Sequence, residues 1–123
     1  MPANFSNMIE YYRYQMRYRT STMPDCADLE EKARNSPHNF DFSDLLKLAE
    51  CFGYEEKRQR GSHHVFQQTT FPRQDTKRKR KEYDRMNFQS AGGQAKPSQV
   101  NDLLNAIDYF REEYSDWFHE PDD

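Results

Sequence analysis

The chain has 123 residues and a net charge of −3, with 34% hydrophobic and 32% charged residues. This length suits one domain, and the low apolar content predicts a modest core in which aromatic residues supply much of the buried area. No run of 18 apolar residues is present, which argues against a membrane-spanning helix. Residues 1–4 lack the pattern of a signal peptide, so we expect a soluble cytoplasmic protein.

The two cysteines, Cys26 and Cys51, are too few for a disulfide framework and form no CxxC pair that would indicate a zinc site. Cys51 falls within an apolar helical pattern, and free cysteines are commonly buried. We therefore predict a buried free thiol at Cys51 and a reducing environment. No acid-rich cluster suited to metal catalysis is evident, so no metal or other cofactor is expected.

Charge is distributed unevenly along the chain. Residues 57–85 include ten Lys or Arg and three Asp or Glu, a net charge of +7, whereas residues 102–123 carry −7. Such asymmetry suits contact with a polyanion, and a self-neutralising solvated surface explains the charges equally well.

Three helices are predicted before the first strand. A Tyr- and Arg-rich segment within residues 1–22 has helical spacing, and a second helix opens at Pro24 and Asp25 and ends near Arg34. The third and clearest helix starts after Ser43, whose hydroxyl suits an N-cap, and ends at Gly53.

Three strands are then predicted, over residues 54–60, 63–69 and 82–89, with a tight turn at residues 61–62. They would form a small antiparallel meander. Alternation places His64, Phe66 and Gln68 on one face of the second strand and His63, Val65 and Gln67 on the other.

A last helix follows a break at residues 91–93. Pro97 fits its first turn, Lys96 lies near its cap, and Val100, Leu103, Leu104, Ile107, Phe110 and Tyr114 form its apolar stripe. The sequence therefore predicts an α+β fold whose last five elements are ordered α-β-β-β-α around one core.

The most plausible catalytic segment in the sequence is residues 61–64. Histidine serves as a general acid or base near neutral pH, although a single histidine is more often merely a polar surface residue, as we expect for His38 and His119. Gly61 lets backbone amides approach a ligand, and the Ser62 hydroxyl can bond a phosphate oxygen. Cations lie on both sides of this segment: Lys57, Arg58 and Arg60 before it, and Arg73, Lys77, Arg78, Lys79, Arg80 and Lys81 after it. A histidine among cations suits metal-free RNA cleavage, in which the 2′-hydroxyl attacks the adjacent phosphate.

These residues resemble those of a known family. The run Gly-Ser-His-His-Val-Phe at residues 61–66 is similar to the glycine-serine-histidine strand motif of HicA-family toxins. Residues 42–45, residues 52–54 and Arg60 resemble that family's first helix and strand. Residues 86–89 and the run Gly-Gln-Ala-Lys-Pro-Ser-Gln-Val at residues 93–100 resemble a segment of a longer HicA-like subgroup. The similarity spans about residues 25–112.

The resemblance implies a fold like a double-stranded-RNA-binding domain and an endoribonuclease that cleaves messenger RNA. It also implies a HicB-like antitoxin as partner. Its catalytic histidine maps onto His64 by preference and onto His63 as the second candidate, with Gln89 and Lys96 among the RNA-binding residues. By this interpretation residues 1–24 are an N-terminal extension, residues 25–115 the HicA-like domain and residues 116–123 an acidic tail.

The sequence departs from that family in its N-terminal extension, its enlarged basic loop, its acidic net charge, and Gln94 and Ser98 in the second motif. Two other functions are therefore kept open. The same fold could bind structured RNA without cutting it, through shape and phosphate contacts. Alternatively, the acidic last helix and the Tyr-rich first helix could form a protein-interaction surface.

Overall fold

A computed structural model describes residues 26–71 and 82–114. This part of the protein is an α+β structure with a small antiparallel four-stranded sheet. In chain order, its helices and strands are α1 (Cys26–Asn35), α2 (Phe42–Cys51), β1 (Tyr54–Arg60), β2 (His63–Gln68), β3 (Arg85–Ala91), β4 (Gln94–Ala95) and α3 (Pro97–Glu113).

Helix α2 follows the predicted pattern but begins earlier than Ser43 indicated. Its N-cap is Asp41, whose side chain makes no capping bond, so Ser43 lies inside the first turn and is not the cap. The helix ends as predicted, because Gly53 adopts a φ of +88° that side-chain-bearing residues rarely tolerate. The next residue, Tyr54, then starts β1.

The sheet has the strand order β1-β2-β3-β4, with every neighbouring pair antiparallel. The predicted meander is confirmed, but the bounds of its third strand differ. Residues 82–84 are helical, so β3 begins three residues after the predicted start, and it ends two residues beyond the predicted end. Gly92 and Gly93 form a turn, which lets the unpredicted strand β4 pair back onto β3. The predicted break at residues 91–93 is therefore the turn of a second hairpin, formed by β3 and β4.

The helices α1, α2 and α3 and the buried face of the sheet contribute to one hydrophobic cluster. Aromatic rings supply much of its volume, as the composition predicted, with Phe40, Phe66, Phe88 and Phe110 among the largest fully buried side chains. The predicted apolar stripe of α3 is confirmed, since all six of its residues are buried. No helix in the described ranges is both long and apolar enough to cross a bilayer.

The predicted free thiol at Cys51 is wrong. A disulfide joins Cys51, at the end of α2, to Cys26, at the start of α1, with 5.9 Å between their Cα atoms. The start of α1 and the end of α2 come together when the two helices pack against each other. The two cysteines are 25 positions apart in the sequence, so this proximity could not be predicted from the sequence pattern.

Several sequence-based predictions concern residues outside the described ranges and stay predictions. They are the first helix, Arg73, the basic run at residues 77–81, His119 and the acidic tail.

Candidate functional site

The turn between β1 and β2 positions the two histidines. Gly61 takes a φ of +59° there, which suits glycine, and β1 and β2 pair from Arg60 and His63 onward. Successive strand residues point to opposite faces of a sheet. His63 and His64 are therefore separated by the sheet itself.

His64 lies on the face that carries the helices. Its imidazole is tilted against the ring of Phe42, with 5.2 Å between the ring centroids, and its Nδ1 lies 3.2 Å from Glu56 Oε2. The His64 side chain is 15% exposed, so it is largely but not fully shielded from solvent. A carboxylate at one ring nitrogen fixes the orientation of an imidazole and leaves the other nitrogen for a second partner.

Glu56 was not among the predicted site residues, and a β-bulge explains why. The register of β1 against β2 shifts between Glu56 and Arg58, so Lys57 is the extra residue. A regular hairpin counted from the turn would pair Glu56 with Gln67 on the opposite face. Because of the bulge Glu56 instead pairs with Phe66, which places its carboxylate on the same face as His64.

His63 is exposed on the other face of the sheet, which we call the outer face. There it lies in a cross-strand row with Arg60 of β1 and Gln89 of β3. Residues paired in this way have side chains on the same face and about 5 Å apart at Cβ. The next row on the outer face adds the exposed Arg58, opposite Val65, and the row after it adds the exposed Arg85, opposite Gln67.

Gln89 connects this row to the start of α3. Lys96 Nζ donates to Gln89 Oε1 at 2.9 Å, and Gln89 Nε2 donates to Ser62 Oγ at 3.2 Å. The backbone N–H of Gln89 donates to Gln99 Oε1 at 2.9 Å. Ser62, Gln89 and Lys96, all predicted site residues, are thus brought together by hydrogen bonds, and Gln99 joins them as a residue that the predictions missed.

The remaining predicted cations are placed differently. Lys57 donates to Glu55 at 2.8 Å, so its charge is compensated locally. His38 is exposed in the loop between α1 and α2. The five basic residues of the predicted loop, Lys77, Arg78, Lys79, Arg80 and Lys81, lie outside the described ranges.

No group of three or more His, Cys, Asp or Glu side chains suited to holding a metal ion occurs within residues 26–71 and 82–114. No protein-family model, curated protein or solved structure matches the chain.

Proposed function

We propose that this protein is a metal-independent endoribonuclease of the toxin type, similar to HicA-family toxins. Its substrate would be messenger RNA in the cytoplasm, and a HicB-like antitoxin would be its partner. The observation that carries this proposal is the cross-strand row Arg60, His63 and Gln89, beside the hydrogen-bonded Ser62 and Lys96. An exposed histidine next to cations and a hydroxyl donor suits attack on a phosphodiester.

The order of α2, the three-stranded meander, the two-residue strand β4 and α3 supports a further part of the proposal, a fold like a double-stranded-RNA-binding domain. In that arrangement the helices occupy one face of the sheet, and the outer face is left for RNA. Three exposed arginines on the outer face, Arg58, Arg60 and Arg85, would neutralise backbone phosphates.

Of the two histidines, the geometry favours His63 as the general base. His63 shares its face with the arginines, whereas His64 faces the helices, where Glu56 and Phe42 are its neighbours. This reverses the preference that the motif alone suggested. The role we assign to His64 is to hold the β1–β2 hairpin against the start of α2.

The proposed reaction is an internal transesterification. The His63 imidazole takes the proton of a ribose 2′-hydroxyl, and the 2′-oxygen forms a bond to the adjacent phosphorus. The bond from phosphorus to the 5′-oxygen breaks, and that oxygen takes a proton from solvent. The products are a 2′,3′-cyclic phosphate and a 5′-hydroxyl. Ser62 and the arginines would stabilise the negative charge on the phosphate oxygens.

The test compares two adjacent histidine variants in the presence of EDTA. We expect the wild-type protein to cleave RNA and leave 2′,3′-cyclic phosphate ends. His63→Ala should lower the cleavage rate by about 100-fold or more, the usual contribution of a general base. His64→Ala should retain most of the activity per folded molecule, which circular dichroism would check.

The opposite result, with activity lost only in His64→Ala, would assign the reaction to His64 and Glu56. RNA binding without any cleavage by the wild-type protein would reject the ribonuclease and favour a non-catalytic RNA-binding module. A stable complex with another protein and no RNA affinity would favour the interaction role.

A further inference from the structure

Three hydrogen bonds link the first turn of α3, the end of β3 and the turn at Ser62. From them we infer that Gln89 and Gln99 are positioning residues, which direct the Ser62 hydroxyl toward the phosphate of a bound RNA. This inference rests on the proposed function, because it assigns roles around the same site. Neither glutamine would itself contact the reacting atoms.

Only one assignment of donors and acceptors is consistent for the hydrogen bonds between Lys96, Gln89 and Ser62. The ammonium of Lys96 can only donate, so the Gln89 atom that it meets at 2.9 Å is the carbonyl oxygen. The amide nitrogen of Gln89 therefore faces Ser62, and it can only donate to Ser62 Oγ. Since that oxygen is already an acceptor, the Ser62 hydroxyl hydrogen is directed elsewhere and can bond a phosphate oxygen.

Gln99 holds the other end of this arrangement. Its side-chain oxygen accepts the backbone N–H of Gln89, which is therefore directed toward α3 and away from β2. In an antiparallel pair, residues whose N–H groups point away from each other lie closer together, at about 4.5 Å between Cα atoms. Gln99 thus helps to bring the Gln89 side chain beside His63, its cross-strand partner.

Lys96 adds charge to the same hydrogen-bonded chain. Hydrogen bonds polarise one another when they are linked, and a cation at one end makes the amide at the other end a stronger donor. The positive charge of Lys96 would thereby act on Ser62 through Gln89. This accounts for a lysine that is directed at a glutamine and not at an acidic side chain.

The first variant changes one functional group. Gln89→Glu keeps the acceptor for Lys96 but removes the donor to Ser62, so the serine hydroxyl would donate to the new carboxylate. We expect the kcat for RNA cleavage to fall by about tenfold or more, with a smaller change in KM. Asn105→Asp is the matched control, because it also converts an amide into a carboxylate, at an exposed position of α3.

The second comparison is made at Gln99. Gln99→Glu retains an oxygen that accepts the Gln89 N–H, whereas Gln99→Met has a similar shape and no such acceptor. We expect Gln99→Glu to keep most of the activity and Gln99→Met to lose kcat. Thermal unfolding of both variants identifies any loss that is due to misfolding.

Coupling to Ser62 is the decisive measurement. In a Ser62→Ala background Gln89→Glu should have little further effect on kcat, because the group that it positions is absent. Losses that simply multiply in the double variant would overturn the inference. So would a wild-type rate in Gln89→Glu.

Binding of a 2′-O-methyl RNA oligonucleotide separates this inference from the proposed ribonuclease activity, since that RNA retains phosphates but cannot be cleaved. The Kd of Gln89→Glu should rise at least severalfold in the wild-type background and little in Ser62→Ala. If the protein binds this RNA with the expected coupling but cuts no RNA, the ribonuclease proposal fails and the positioning roles stand. If the protein does not bind the RNA, both fail.

Discussion

Gly53 combines a left-handed backbone conformation with close packing, so a side chain is poorly tolerated at this position. Its φ of +88° disfavours any side chain, and a Cβ at this position would lie 2.3 Å from Thr70 Oγ1 and 2.6 Å from Gln68 Oε1. Gln68 cannot easily move aside, because its amide donates to the carbonyl of Phe52 and its oxygen accepts the Thr70 N–H. The end of α2 and the end of β2 are joined at this point.

We predict that Gly53→Ala lowers the free energy of unfolding by about 2–4 kcal/mol, from the left-handed backbone together with the overlap. Gly92→Ala is the matched control: Gly92 has a φ of +63°, but a Cβ there meets nothing within 4 Å. Gly92→Ala should lower the free energy of unfolding by only about 1 kcal/mol. Urea denaturation of both variants measures the difference, and equal losses would show that the contacts with Thr70 and Gln68 contribute nothing.

At the scale of elements, α1 is attached to α3 through a buried carboxylate. Glu30 accepts two hydrogen bonds from the Arg111 guanidinium, at 2.8 and 2.9 Å, and a third from Arg34 at 3.0 Å. Burial disfavours the charged carboxylate, but the hydrogen bonds and charges of Arg111 and Arg34 outweigh burial and lower the pKa of Glu30. Arg111 also lies over the ring of Phe52, with 5.3 Å to its centroid, so the same side chain touches the end of α2.

We predict that Glu30→Gln lowers the free energy of unfolding by about 1.5–3 kcal/mol at neutral pH, the range for hydrogen bonds to charged groups. Because the folded-state pKa is lowered, this stabilisation is present above the ordinary value of about 4.5 and is lost as the pH falls through the folded-state pKa. The wild-type and Glu30→Gln proteins should therefore converge in acid. Urea denaturation from pH 3 to pH 7 tests this, with Glu31→Gln, an exposed position on the same helix, as the control. A difference that does not change with pH would contradict it.

For the molecule as a whole, the disulfide between Cys26 and Cys51 restricts the unfolded chain. The cross-link spans 25 positions, and closing a loop of that size contributes about 3 kcal/mol in the chain-entropy model. Disulfides are uncommon in the reducing cytoplasm, where the proposed function would operate. Reduction of this pair should therefore lower the stability of the protein.

We predict that dithiothreitol lowers the free energy of unfolding of the wild-type protein by about 2–4 kcal/mol. The Cys26→Ala/Cys51→Ala double variant should show a similar loss and no further response to the reductant. Thiol titration of the unfolded protein gives the redox state in each sample. Two free thiols in protein purified without reductant would show that the disulfide does not form.

The sequence by itself determined the features that depend on local spacing. The apolar stripe of α3, the stop at Gly53 and the alternation that separates His63 from His64 follow from residue periods and from backbone preferences, which act within a few positions. The Gly61–Ser62 turn also fixed which residues of β1 and β2 pair next to it.

Which side chains contact one another was decided only by the tertiary structure. The bulge at Lys57 placed Glu56 beside His64, and packing of α1 on α2 brought Cys26 to Cys51. The turn at Gly92 and Gly93 led the chain back through β4, which set Lys96 and Gln99 against Gln89. These contacts join residues of different helices, strands and turns, or depend on a one-residue shift in pairing. The periodicity of a sequence carries neither kind of information, because it records which face a residue takes and not which residue meets it there.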